Sequence, residues 1–205
     1  MTLGDLLTDA FGRIRGVVHD VSSELTDDQL AFRPAGQANS VAWLVWHLTR
    51  IQDDHVSAVA GTEQAWTAGG WAGRFALPYA PDDTGYGHSG EQVAACRVSA
   101  RLLTGYHDAV YRNTISYVEG LTEPDLDRVV DRAWVPPVTL GVRLVSVISD
   151  DLQHAGQAAY LHGLVGKGWD AADISSLRPG RTASRARRRW WPTAARWWAP
   201  PAPAG

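Results

Sequence analysis

The chain has 205 residues, 45% hydrophobic and 20% charged, with a net charge of −3 and a single cysteine, Cys96. That balance suits one folded domain with an extension, and one cysteine excludes both a disulfide framework and a cysteine-built metal site. Residues 178–205 hold seven arginines and no acid, so the first 177 residues set 12 basic against 22 acidic side chains, a net −10 that is a poor match for a nucleic-acid surface.

No stretch approaches the roughly 18–20 apolar residues of a membrane span, and the opening MTLGDLLTDAFGRIR mixes acids among its apolar residues, unlike a signal-peptide core. The expectation is a soluble, cytoplasmic protein without membrane or nucleic-acid partners. Apolar spacing near 3.6 residues then predicts four helices. The first runs from about Leu3 to Leu25, with Leu6, Leu7, Ala10, Ile14, Val17, Val18 and Val21 on one broad face. A short capped turn follows at Thr26–Leu30. The second helix starts after Pro34 and Gly36 with Asn39 or Ser40 as N-cap and continues to Gly61, with Val41, Leu44, Leu48 and Ile51 as its inward stripe.

Residues 61–88 alternate glycine and proline with Trp66, Trp71, Tyr79 and Tyr86. Connections beyond about 12–15 residues are uncommon in compact domains and often serve as binding loops, so this loop is expected to cover a site. A third helix is expected over Ser89–Leu121, a Pro-containing connection over Thr122–Val138, and a fourth helix over Thr139–Val165. The expected fold is all-α: a four-helix up-and-down-type bundle over residues 1–168, open to one crossover, with the long loop between helices two and three. Residues 169–205, rich in Arg, Trp and Pro, are expected to form a flexible C-terminal tail. Its Trp pairs at 190–191 and 197–198 could stack on bases or meet a membrane surface, but proline and the lack of periodicity favour a bland extension.

On the second helix His47 lies one turn after Leu44 and one turn before Ile51, which points its imidazole inward. Alone, such a histidine reads as a hydrogen-bonded core residue. On the fourth helix Asp150 and His154 stand at i and i+4 on one face. A carboxylate and an imidazole at this spacing, with an imidazole from a facing helix, would leave open positions on a shared ion, an arrangement suited to catalysis rather than stapling. Spacing alone equally allows solvated acids and a histidine bonded within its own helix. His88, at the end of the long loop, could sit over such a site as acid or base. His55 reads as a surface residue beside Asp53 and Asp54. Arg33, Arg74 and Arg143 remain unassigned between anion contacts and surface roles, and Trp43 and Trp46 read as packing.

The segments TDDQLAFRP, SVAWLVWHLTRIQDDH and VISDDLQHAGQAAYLHGL resemble the DinB/YfiT-like family of metal-binding four-helix bundles over roughly residues 3–166. That resemblance implies a metal held by His47, Asp150 and His154, with Gly156-Gln157 following as the family's G-Q. Position 150 carries Asp where the family has His or Glu, so the carboxylate is shorter by one methylene, and Asp151, three residues before His154, is the alternative ligand. The resemblance further implies thiol chemistry. Related proteins include mycothiol-dependent maleylpyruvate isomerase, and the richness in Ala, Gly, Arg and Trp is similar to that of high-GC actinobacterial proteins, where mycothiol is the small thiol. The expectation is a homodimeric thiol transferase or isomerase acting on a small electrophile, with a divalent ion, zinc first and nickel second, activating mycothiol. The alternatives are a non-catalytic metal- or ligand-binding stress protein and a metal-dependent hydrolase.

Overall fold

The computed structural model describes residues 1–165; the expected domain boundary near residue 168 and the tail over 169–205 lie outside the described residues. Helix α1 (Leu3–Ser23) opens on a capping box in which the Thr2 hydroxyl accepts from the Asp5 amide and the Asp5 carboxylate accepts from the Thr2 amide. Leu7, Phe11, Ile14, Val18 and Val21 recur at three and four residues and are buried. Thr26 and Gln29 form a second capping box on the single turn α2 (Asp27–Leu30), and a 3-10 turn at Pro34–Gly36 leads to α3 (Val41–Ala60). Ser40 caps α3 and left-handed Gly61 ends it.

The long loop is partly helical, with the short helices α4 (Ala65–Ala68) and α5 (Trp71–Phe75). The third helix expected over Ser89–Leu121 is two helices, α6 (Gly90–Ala95) and α7 (Ala100–Val118). Two serines explain the break: Ser89 caps α6 and Ser99 caps α7, and Cys96 and Val98 between them are buried. The connection 122–139 contains a 3-10 turn and a two-stranded antiparallel sheet, β1 (Val129–Asp131) with β2 (Val138–Thr139), before α8 (Leu140–Val165). The fold is mostly helical, with this one minor sheet among the described residues.

Four long helices build the bundle: α3 packs on α7 and α8, and α1 packs on the same two from the opposite side. Glu119, the C-cap of α7, lies against Gly4 of α1, and Asp108 against Arg15 and His19, so α1 and α7 are antiparallel. Thr49–His107, Gln52–Thr114 and Val59–Tyr117 advance together, which makes α3 and α7 parallel. His47 meets His154 and His55 meets Arg143, so α3 and α8 are antiparallel. The bundle therefore contains the crossover that the sequence left open, carried by the chain between Gly61 and Ser99 over the outside of α3.

That path alters α3. The sequence gives it one apolar stripe, but every residue from Val41 to Asp53 is buried, because the crossover covers the face that a bundle helix usually turns to water. Among the described residues, no helix is long and apolar enough to cross a membrane.

Candidate metal centre

His47 and His154 face each other across the α3–α8 seam, ring centroids 4.8 Å apart at 73°. Asp150, one turn before His154, places Oδ1 3.6 Å from His154 Nε2. One ligand atom from each of the three lies within 4.8 Å of the others. Three ligands bound at about 2.1 Å in tetrahedral geometry stand about 3.4 Å apart, so modest side-chain rotation would let all three reach one ion.

The remaining ring nitrogens are already committed. His47 Nδ1 hydrogen-bonds the Thr84 carbonyl, and a carbonyl can only accept, so Nδ1 carries the proton and Nε2 has the lone pair. His154 Nδ1 stands 3.2 Å from the Gln157 side-chain oxygen, which leaves Nε2 toward Asp150. Outer partners of this kind fix the tautomer of ligating imidazoles. Asp150 Oδ2 is buried with no hydrogen-bond partner. Two imidazoles held from behind and an orphaned carboxylate oxygen suit a divalent ion of intermediate hardness.

Burial pushes the His47 imidazole down to about 4, reinforced by the charge of His154, so it is a neutral donor at ordinary pH. His154 is shifted the other way: burial opposes its charge, but the hydrogen bond and negative charge of Asp150, with help from Gln157, outweigh that and raise it. An arriving cation would compete with that proton. Asp151 is fully buried, both its oxygens lack partners, and burial with the neighbouring charge of Asp150 pushes its carboxyl well above the usual carboxylate range. It is Asp150 that stands beside His154.

A wall of aromatic rings and one loop backs the site. Trp43 stacks on His47 at 4.7 Å and 13°. Its indole N–H donates to His88 Nδ1 at 3.0 Å, and His88 Nε2–H donates to Asp83 Oδ2 at 2.8 Å. His88 is thus nearly enclosed, its side chain 3% exposed, with both ring nitrogens engaged. Asp83 also accepts from the Gly85 amide and offers its carbonyl to Arg50 Nε. Gly85 (φ +91°) brings the loop so close that a Cβ there would stand 2.8 Å from Trp46 and 2.9 Å from His47 Nδ1.

Arg50 and Asp53 anchor the start of the same loop. Asp53 accepts from the amides of Ala65 and Trp66 and from the Tyr106 hydroxyl, each at 2.8 Å. Arg50, wholly buried, donates to Gln64 at 2.7 Å and lies over the Trp66 ring. Sequence reasoning missed both, since a charged pair in the middle of a helix reads as a solvated face. His55 is mostly enclosed rather than a free surface residue, and it hydrogen-bonds Arg143, which also holds Asp131 at 3.0 Å. Arg33 binds the carbonyls of Ala38 and Gly90, and Arg74 lies over Trp71. Cys96 is 1% exposed and burial pushes its thiol up to about 12, which removes it as a nucleophile.

The chain is 33% identical to the protein of a crystal structure described as the conserved protein of locus from Enterococcus faecalis, with a TM-score of 0.76 over 82% of this chain and 99% of that one. No protein among those with curated descriptions matches it. The family model for mycothiol-S-transferase matches residues 5–166, which span all four bundle helices and His47, Asp150 and His154, and the chain belongs to that family.

Proposed function

We propose that the protein is a cytoplasmic, metal-dependent thiol S-transferase that joins mycothiol to a small electrophile, with His47, Asp150 and His154 as the ligands of one divalent ion, zinc before nickel. The observation that supports this reading is that one ligand atom from each of His47, Asp150 and His154 lies within 4.8 Å of the others, with the Nδ1 atoms of both imidazoles held by Thr84 and Gln157 and Asp150 Oδ2 buried without a partner. Membership of the mycothiol-S-transferase family supports the choice of thiol.

A divalent ion with an open position lowers the pKa of a bound thiol, so that thiolate is present at neutral pH. The chain supplies the rest by placement. His47 and His154 present lone pairs, and Trp43 and Thr84 hold the His47 ring. The thiol sulfur forms the new bond to the electrophilic carbon, its proton goes to solvent, and the displaced electron pair departs with the leaving group. No protein nucleophile takes part, consistent with the inert Cys96. His88, expected from sequence as acid or base, acts in this reading through Trp43 as a positioning residue, because neither ring nitrogen is free.

The same reading includes a homodimer. Val142, Val145, Ser149 and Leu152 are exposed on α8 at intervals of three and four, an uncharged stripe suited to a second copy. Light scattering of the wild type and Val145→Lys checks it: a dimer made monomeric supports the stripe, and a monomeric wild type rejects it.

Metal analysis of purified protein, followed by mycothiol conjugation of monochlorobimane, tests the main proposal. Stoichiometric metal and turnover are expected in the wild type, with both lost in His47→Ala and His154→Ala. Turnover that survives chelation would reject metal dependence, and bound metal without turnover of any electrophile would favour a binding protein.

A further inference from the structure

A cavity of about 750 Å³ opens between the 34–39 turn, the start of α3 and the second half of α8. Its position relative to the metal ligands follows from helix geometry. On α3 its wall is Leu44, one turn before His47; on antiparallel α8 it starts at Gln153, next to His154, and continues through Gly156 and Gln157 to Leu164. One turn toward the N-terminus of α3 and one toward the C-terminus of α8 are the same direction in space. The cavity therefore begins beside the ligand set and extends away from it along the bundle axis, most of its wall lying beyond the first helical turn of about 5 Å. Gln157 belongs to both, lining the cavity while its side-chain oxygen holds His154 Nδ1.

The lining has no charged side chain. Leu161, Leu164, Ala38 and Leu44 supply apolar surface, Asn39 and Gln157 supply amides, and the exposed ring of Tyr160 stands at the rim. A volume of this size is that of a small-molecule site. No residue of the 61–88 loop lines it, although the sequence suggested that loop as the wall of the electrophile's pocket. The loop braces His47 instead. An anionic occupant would meet no counter-charge here, within a chain whose first 177 residues carry a net −10.

We infer that this cavity receives the uncharged, apolar body of the electrophile, with its reactive carbon held about one helical turn away beside the metal ligands. The inference rests on the S-transferase reading. It makes the enzyme selective for neutral electrophiles with an alkyl or aryl group and poor toward compact or anionic ones.

Gly156 provides a clean probe, because it lines the cavity and a Cβ there would meet nothing within 4 Å. Gly156→Leu should fold, gain helix propensity and fill the space, and Gly156→Ala serves as the folding control. Wild type, Gly156→Ala and Gly156→Leu are compared in three measurements: bound zinc, fluorescence of the neutral probe N-phenyl-1-naphthylamine, and mycothiol conjugation of iodoacetate, iodoacetamide and N-alkyl iodoacetamides of increasing length. The expected wild-type result is a kcat/KM that climbs up to about fourfold per methylene until the cavity is full, lowest for iodoacetate, together with probe binding. Gly156→Leu should keep its zinc, lose the probe by tenfold or more and show no dependence on chain length. Chain-length dependence that survives in Gly156→Leu would overturn the assignment, and so would a wild type that does not bind the probe. Zinc and probe binding without conjugation of any electrophile would reject the transferase reading and the electrophile assignment together, whereas conjugation indifferent to chain length would reject the assignment alone.

Discussion

At the scale of single residues, Gly85 connects backbone conformation to ligand chemistry. Its φ of +91° is open to glycine and strained for other residues, and its missing side chain lets the Thr84 carbonyl reach His47. Gly85→Ala adds a methyl group that must displace Trp46, His47 or the loop itself. The loop is the element free to give, so the Thr84 hydrogen bond to Nδ1 should be lost. Zinc affinity is expected to fall about 10- to 100-fold, the usual cost of removing an outer partner of a ligating histidine, while far-UV circular dichroism stays native. Competition against a chromophoric chelator measures it. Unchanged affinity would mean that the carbonyl does not orient the ring. Asp83→Asn tests the neighbouring strut. It keeps the side chain's shape but removes the charge that holds His88 Nε2–H. A smaller loss of affinity is expected, because Trp43 still stacks on His47.

At the scale of elements, α3 is a helix without a wet side, and Asp53 shows what that demands. Burial raises its carboxyl, opposed by hydrogen bonds from Tyr106, Trp66 and Ala65. Asp53→Ala leaves two amides and a hydroxyl without their acceptor, and the Arg50 guanidinium, 3.7 Å from the carboxylate, without its counter-charge in a dry interior. Breaking such a buried pair typically costs about 3–5 kcal/mol. The loss should appear in urea unfolding, with hydrogen exchange fastest over residues 61–75, and destabilisation below about 1 kcal/mol would show that water replaces the carboxylate. The same element marks the limit of what the sequence reveals. The four long helices were legible because their apolar residues repeat at three and four, and His47, Asp150 and His154 stood out because an inward imidazole and an i, i+4 pair have a spacing that can be read. Thr49, Arg50, Gln52 and Asp53 carry the pattern of a solvated face, and the pattern misleads here because the crossover takes the place of water on that side. The break between α6 and α7 is masked by apolar residues that keep helical period across Cys96–Ser99. The Thr84 carbonyl has no signature at all, since every residue carries one; the only hint of it was a glycine in a loop.

At the scale of the whole molecule, buried histidines set how the metal-free bundle responds to acid. His107 is fully buried at the centre of α7; the Thr49 hydroxyl donates to Val45, so it accepts from His107 Nδ1–H, and Nε2 faces no partner. Burial lowers this imidazole to about 3 from its ordinary value of 6.5. Above pH 6.5 both folded and unfolded chains hold the ring neutral and it contributes no pH dependence. Below 6.5 the unfolded chain takes up a proton that the folded chain refuses, so stability falls by about 1.4 kcal/mol per pH unit until the folded value near 3 is reached. His47, lowered to about 4, adds a loss of the same sign, and His154, raised, contributes stability that grows as the pH falls toward its unfolded value. Those contributions are common to wild type and His107→Leu, and the difference between the two proteins isolates residue 107. Urea unfolding in the presence of chelator should show wild type losing about 2 kcal/mol more than His107→Leu between pH 6.5 and 5.0. Parallel stability curves would mean that the folded bundle protonates His107 as readily as the unfolded chain does, and that burial of the ring does not set the acid response.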